Sequence, residues 1–387
     1  MKLSDVGQII GGGTPSTTNP EYWDGDISWI TPKDLSNYPK RYISKGIRTI
    51  TEEGFNSSST KMLPKNTILF TSRAPIGYIA IAEKDLCTNQ GFKSIVCDSK
   101  KCHYLYLYYW LKNNIDIIKE NANGSTFMEI SGTSMKNLEI NLPTLDIQKK
   151  IAKILSNIDE KIELNNQIND NLQEISKQLY KRWFIDFEFP NEEGNPYKSS
   201  GGKMVNSELG EIPEGWIVKN LKEFFPVVTG KKDANASSDS GNYPFFTCSQ
   251  KVSKIDSFSF DNSAVLLAGN GDFNVKVYRG KFDAYQRTYV LIPYNKEELG
   301  FLYHCVKYNL NDITSGHRGS VIKFITKGNI EDFKIAFCLK EELINVFQKT
   351  LIKIESINNE IETLTQLRDT LLSKLMNGEI DLENIEI

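Results

Sequence analysis

Histidine is scarce in this 387-residue chain. There are three, His103, His304 and His317, and none stands at a metal or catalytic-triad spacing from another candidate side chain. The six cysteines, Cys87, Cys97, Cys102, Cys248, Cys305 and Cys338, form no CxxC pair. No apolar run approaches the roughly 20 residues of a membrane-spanning helix. The opening MKLSDVGQII carries Asp5 and Gln8 where a signal peptide needs an apolar run. These absences predict a cytoplasmic protein with reduced thiols. An excess of either charge is also missing. Lys+Arg total 46 against 49 Asp+Glu, a formal charge of −3, so no global basic field announces a polyanion and nucleic-acid binding would have to rest on local patches. With 40% hydrophobic and 25% charged residues, disorder, collagen and small disulfide scaffolds are excluded.

Catalytic motifs are missing as well. The absence of a GxxxxGK[ST] loop argues against ATP handling by this chain. Gly11-Gly12-Gly13 and the GNGD of Gly269–Asp272 lack the GxGxxG spacing between strand and helix, and read as turns. Asn19-Pro20-Glu21-Tyr22 departs at its third position from the Asn/Asp-Pro-Pro-aromatic motif of amino-group DNA methyltransferases, and no apolar strand precedes it. Weight moves toward a binding or scaffold protein.

What is present is a repeat. A shift of 195 residues carries Gly124, Ser125, Ile130 and Ile140 onto Gly319, Ser320, Ile325 and Ile335, and Ile185, Asp186 and Glu188 onto Ile380, Asp381 and Glu383. Earlier in each half the register drifts. Ile68-Leu69-Phe70 aligns with Val265-Leu266-Leu267 at a shift of 197, Gln90 with Gln286 at 196, and Leu3 with Leu221 only at 218. About 20 extra residues therefore lie between Gly12 and Asn66. Each half opens with short runs rich in β-branched and aromatic residues: Thr67–Thr71, Tyr78–Ala82, Lys93–Val96, Ala264–Leu267, Asn274–Tyr278 and Thr288–Ile292. These predict strands bounded by turns, with one helix per half over Tyr104–Lys119 and Lys296–Asn309.

From Asp146 the pattern changes. Ile147, Ile151, Ile154, Ile158, Ile162, Asn165, Ile168, Leu172, Ile175, Leu179 and Trp183 follow at intervals of three or four, as do Leu343, Phe347, Leu351, Ile354, Ile357, Ile361 and Leu364, with Leu371 and Leu375 farther on. This predicts two long coiled-coil helices of about 38 residues, about 57 Å each. Asn165 at a seam position would set register. The Gly-, Pro- and Ser-rich FPNEEGNPYKSSGGKM (Phe189–Met204) reads as a linker. The expected organisation is a first globular domain over 1–145, a first long helix over 146–188, a linker over 189–205, a second domain over 206–338, and a second long helix with a C-terminal tail over 339–387.

These pieces resemble the specificity subunit of a type I restriction-modification system. The phrases that carry the resemblance run nearly end to end: GDISWITPKDL (Gly25–Leu35), TILFTSRAPIGYIAIAEKDLCTNQGF (Thr67–Phe92), GSTFMEISGTSMKNLEINLPTLDIQKKIAKIL (Gly124–Leu155), LYKRWFIDFEFP (Leu179–Pro190), ELGEIPEGW (Glu208–Trp216) and LLSKLMNGEIDL (Leu371–Leu382). One departure is that GEIPEGW precedes only the second domain. The resemblance implies an α+β chain of two tandem mixed α/β target-recognition domains separated by two long antiparallel coiled-coil helices, with internal pseudo-twofold repeat. Such a chain is a DNA reader without a catalytic site or cofactor of its own, and its two domains read a bipartite, asymmetric double-stranded target. The resemblance further implies two modification subunits that bind S-adenosylmethionine and methylate adenine, and two restriction subunits that bind ATP and translocate and cut DNA. A rod of about 57 Å spans roughly 17 base pairs, so domains at its ends can address groove segments about one helical turn apart.

Base readers lie on loops. Ser72 and Arg73, after a strand, and Asn270, aligned with Arg73, are candidates for DNA contact. Asn89-Gln90 and Gln286-Arg287 form a second aligned pair of loops, though the equivalence of Gln90 and Gln286 favours a shared structural role. Ser125 and Arg318 beside the paired glycines suit phosphate contact, as does His317. Lys33 and Ser249 complete the set. Two other readings stay open: a coiled-coil adaptor that binds only protein, and a stand-alone adenine methyltransferase.

Overall fold

The computed structural model describes residues 1–122, 128–316 and 323–383. The chain divides into two compact units, Met1–Asn166 with Glu360–Ile387, and Gln167–Asn359. Each unit joins a globular domain to a stretch of both long helices, and the boundary cuts each helix near its middle.

In the first unit a five-stranded sheet runs in the order Gly7–Gly11, Lys93–Cys97, Ile68–Phe70, Ile79–Ala82, Tyr42–Ile43. All neighbours are antiparallel except the last pair. Its central strands are buried on both faces, Ile68, Ile81 and Ile95 on one side and Leu69, Ala80 and Ala82 on the other, which is why they read as continuous apolar runs. The second unit repeats this order with Val227–Thr229, Thr288–Leu291, Phe260–Ala268, Val275–Ala284 and Tyr243–Phe246, again with one parallel pair at the end, and adds Ser253–Ile255 at the edge. The repeat seen in the sequence is a repeat of sheet topology. The region that holds the extra residues of the first half builds a separate three-stranded sheet, its strands Arg48–Ile50 and Trp23–Ile30 completed by Cys87–Thr88 from farther along the chain. Its small core is Trp23, Trp29, Ile50 and Cys87, with Arg48 over the Trp23 ring.

The helix predicted over Tyr104–Lys119 is broken into Tyr104–Asn113 and Ile115–Glu120. The Asn114 side chain donates to the Trp110 carbonyl (2.8 Å), a local bond that competes with the helical ladder. The second unit has the helix Leu299–Tyr308 and the short Leu310–Ser315, broken likewise at Asn309. The strand Ile217–Asn220 pairs with Lys334–Phe337, and Met204–Ser207 forms a hairpin with Gly210–Pro213. Neither pairing was expected, since both strands of each are short. The Gly- and Pro-rich segment before that hairpin folds back rather than extending: Phe189 is buried, stacked on Tyr197 and Trp216 with centroids 4.6 and 5.0 Å away.

The long helices are Leu145–Tyr180 and Glu341–Met376, each of 36 residues. Gly378, at φ +72°, ends the second by closing its last carbonyls in the left-handed conformation. Within each unit the two helices pair antiparallel. Asp159 meets Arg368 and Lys161 meets Glu360 in the first, while Asn169 meets Asn358 and Tyr180 meets Phe347 in the second. The seam is more polar than its predicted apolar stripe. Asn165 is buried with an unpartnered Nδ2, Asn169 donates to Asn358 (2.7 Å), and Ser176 is buried, whereas Ile175 is 61% exposed. In the first helix's second half the buried face is turned about one residue from the isoleucine repeat.

Candidate nucleic-acid interface

The strand Ile68–Phe70 runs out of its sheet into Thr71-Ser72-Arg73, and backbone bonds hold this exit on two sides. The Ser72 amide donates to the Gly91 carbonyl (2.7 Å), and the Ser72 carbonyl accepts from Ile130 N (3.0 Å). Arg73 forms a one-residue antiparallel bridge with Glu129. In the second unit Gly269 N donates to Arg287 O (2.8 Å), Gly269 O accepts from Ile325 N (3.0 Å), and Asn270 bridges Phe324. The two exits correspond bond for bond. Each draws together three loops: the strand exit, the turn at Gln90 or Gln286, and the segment leading into Ile130 or Ile325.

A fourth segment crosses each cluster. After the first strand of each sheet, a Cβ at Gly12 would collide with the carbonyl oxygens of Thr88 and Asn89, and one at Gly230 with those of Ala284 and Tyr285. Only glycine permits this approach. Just beyond it, Thr14 hydrogen-bonds Gln90, and Asp233 accepts from Gln286 Nε2 (2.7 Å). The paired glutamines therefore do the same structural work in both units, tying the turn to the crossing segment.

The candidate side chains divide by what they touch. Ser72 is fully buried and its hydroxyl donates to Gly91 O (3.2 Å), so it braces the loop from inside and is not displayed. Asn89 Oδ1 accepts from Gly91 N (2.9 Å), shaping its own turn. Arg73 is 41% exposed and pairs with Glu129 (3.3 Å), which Lys93 also approaches (3.5 Å). Two cations share one carboxylate there, leaving a positive excess at the loop tip. Lys33 is exposed on the turn Pro32–Leu35, and Pro32 lies against the Gly91 loop, so the extra segment adds a cation beside this cluster. In the second unit Gln286 and Arg287 are exposed and Asn270 is half-buried beside them. Ser249 is exposed; its carbonyl accepts from Lys276 Nζ (2.7 Å), and the neighbouring Gln250 bonds Asp272 (2.7 Å), which holds the 249 loop against the 270 loop. Burial holds the Lys276 ammonium below its ordinary pKa. Ser125, His317 and Arg318 lie outside the described residues.

The structure thus gathers Arg73, Asn89 and Gln90 at one edge of the first unit, with Ser72 beneath, and Ser249, Asn270, Gln286 and Arg287 at the matching edge of the second. Sequence reasoning missed Glu129, Lys93 and Lys276. Glu129 had a legible signal, standing beside Ile130 at a repeated position. The two lysines had none, because both precede or sit within apolar strands. Asn19 caps the turn Pro20–Tyr22 through Glu21 N (3.1 Å), the ordinary role of an Asn before Pro. Among the described residues no group of three His, Cys, Asp or Glu side chains is placed to hold a metal ion, and no helix is long and apolar enough to cross a membrane. What these edges offer is a set of hydrogen-bonding and cationic side chains on a rigid backbone, the chemistry of groove readout.

Comparison with known proteins gives the same direction. A family model described as the type I restriction modification DNA specificity domain matches residues 1–174 and 213–368. The type I restriction enzyme MjaIX specificity subunit of Methanocaldococcus jannaschii is 35% identical, the alignment covering 99% of this chain and 94% of that one. The EcoDI specificity subunit of Escherichia coli is 44% identical over 45% of this chain and 40% of its own. Among solved structures, the S subunit of the type I restriction-modification system of M. genitalium has a TM-score of 0.61 at 19% identity, covering 97% of this chain and 95% of that one, a likeness of fold.

Proposed function

The chain belongs to the family of type I restriction-modification specificity subunits, and from that premise we propose how it acts. It is the non-catalytic DNA-recognition subunit of such a system, reading a bipartite, asymmetric target through its two sheet-edge loop clusters. One observation carries this reading: the same backbone frame presents different side chains in the two units, Arg73 where the other has Asn270 and Gln90 beside Gly91 where the other has Gln286 beside Arg287. One frame with two displays is what two unlike half-sites require. Arg73 suits a guanine edge and Asn270 an adenine edge. Lys33, Arg287 and Ser249, with Ser125 and Arg318, supply phosphate and flanking contacts, while Ser72, Asn89, Gln90 and Gln286 hold the loops in shape.

Methylation and cleavage belong to partner subunits, two for modification with S-adenosylmethionine and two for restriction with ATP, assembled in the cytoplasm. Leu164, Ile175, Ile352 and Leu367 are exposed apolar side chains on the long helices, a surface suited to such partners.

The test is single-molecule sequencing of genomic DNA from a host expressing this chain with its modification subunit, scored for methylated adenines. A motif with two unlike half-sites and a fixed spacer is expected. A contiguous motif, or none that depends on this chain, overturns the reading and favours an adaptor that binds only protein.

A further inference from the structure

Arg41 immediately precedes Tyr42–Ile43, the edge strand of the first unit's five-stranded sheet, and is 4% exposed. Its guanidinium grips Glu163 of the first long helix as a fork, Nε to Oε1 at 3.0 Å and Nη2 to Oε2 at 3.1 Å. Its backbone N–H donates to the same carboxylate (3.0 Å), and its carbonyl accepts from Ile81 N (2.8 Å) in the neighbouring strand. Nη1 lies 3.5 Å from the Tyr109 hydroxyl, which donates to Asp159 Oδ2 (2.7 Å). The other oxygen of Asp159 accepts from Arg368 of the second long helix (2.9 Å). One buried polar network therefore joins the sheet edge, the helix Tyr104–Asn113 and both long helices.

Apolar packing of the same area would hold these elements together at least as well, because desolvating the charges offsets most of their attraction. What the network adds is a single geometry. A planar fork on a carboxylate accepts one orientation, whereas an apolar contact tolerates sliding and rotation. Among the described residues the second unit shows no such network. The 195-residue shift carries Tyr109 onto His304, Asp159 onto Ile354 and Arg368 onto Gln173. Glu160, whose carboxylate also approaches Arg41 Nη2 (3.7 Å), has an acidic counterpart in Glu355, which takes Arg279 through Nε (3.0 and 3.1 Å), with Arg279 Nη2 left unpartnered.

We propose that the Arg41–Glu163–Tyr109–Asp159–Arg368 network is a set of positioning residues that locks the angle at which the first recognition domain leaves its helices, and thereby the number of base pairs accepted between the two half-sites. The inference rests on the functional reading above. One added base pair moves a half-site about 3.4 Å along the duplex and about 35° around it. A domain held at one angle rejects that displacement, and a domain free to swivel follows it.

The experiment uses the same methylation sequencing with the full chain and its modification subunit. In Arg41→Met with Glu163→Met both charges leave together, so no unpaired ion is buried. The expected result is unchanged half-site bases, with methylation at spacers one base pair longer or shorter rising about tenfold relative to the parent. Arg41→Lys, which keeps the charge and loses the fork, is expected to fall between the two and asks the same question should the double variant not fold. Both variants keeping the parent's single spacer overturns the lock alone. Absence of any bipartite motif with the parent chain overturns the functional reading, and the lock with it.

Discussion

At their loop edges the two units agree bond for bond; where their domains meet the long helices they do not. Ser72 and Gly269 make the same two backbone hydrogen bonds, Gly12 and Gly230 pass over the same carbonyls, and Gln90 and Gln286 fasten the same segment. At the helices the first unit has a buried ionic network, and the second has a neutral His304, an Ile354 and one half-buried pair. Backbone bonds are indifferent to side-chain identity, so a duplicated frame survives substitution. Side-chain networks need every member, so losing Asp159's counterpart dismantles the rest.

The largest test of this contrast removes one arginine at a time. Arg41→Met strips Glu163, whose side chain is 20% exposed, of its fork and is expected to cost about 2 to 3 kcal/mol, while Arg279→Met, from a pair about a third exposed, costs about 1 or less. Chemical denaturation followed by hydrogen exchange in each unit measures both, and equal losses would break the comparison.

His304 offers a pH test. Burial first, and Lys307 second, lower its pKa from 6.5 to about 4, whereas burial beside Asp159 pushes its counterpart Tyr109 upward, away from that window. The unfolded chain takes up the proton below about 6.5 and the fold refuses it until about 4. Stability from the neutral imidazole is therefore present above that window and lost as pH falls through it, by about 3 kcal/mol at most. His103 of the first unit shifts in the same direction, so the measurement is the difference between parent and His304→Gln. A difference that does not vary with pH would remove His304 from the account.

Gly12→Ala and Gly230→Ala should each cost about 2 kcal/mol, and alike, by driving a methyl into the carbonyls beneath. Unequal melting losses would mean that the shared frame is not equally loaded in the two units. Smallest are the display residues. Arg73→Ala and Asn270→Ala should each relax one half-site, and not the same one, by about 1 to 2 kcal/mol, with little effect on folding. A uniform loss on random DNA would assign either residue to phosphate contact.

Much of this was legible beforehand, for physical reasons. Apolar runs such as Ile68-Leu69-Phe70 and Val265-Leu266-Leu267 mark strands buried on both faces, and the three-and-four spacing after Asp146 marks long helices. The equivalence of the glutamines follows from the repeat, whereas Asn89, read as a candidate for DNA contact, turns its Oδ1 onto Gly91 N and shapes its own turn. The seam was less legible. Hydrophobic periodicity places the stripe, but Asn165, Asn169 and Ser176 are buried beside it, Asn169 against Asn358 of the partner helix, and a polar side chain at such a position leaves no mark in the apolar pattern. Ser72 shows the same limit: a polar residue on a loop reads as displayed until a neighbouring carbonyl is seen to claim it.

Contiguous and periodic residues suffice for the duplication, the central strands of the two large sheets, the long helices and the family. Tertiary structure alone decided that Glu129 faces Arg73, that Arg41 finds Glu163 across 122 positions, and that Gly12 and Gly230 lie over carbonyls. These pairings join residues far apart in the chain, and no local pattern carries the distance between two side chains until the backbone has folded around them.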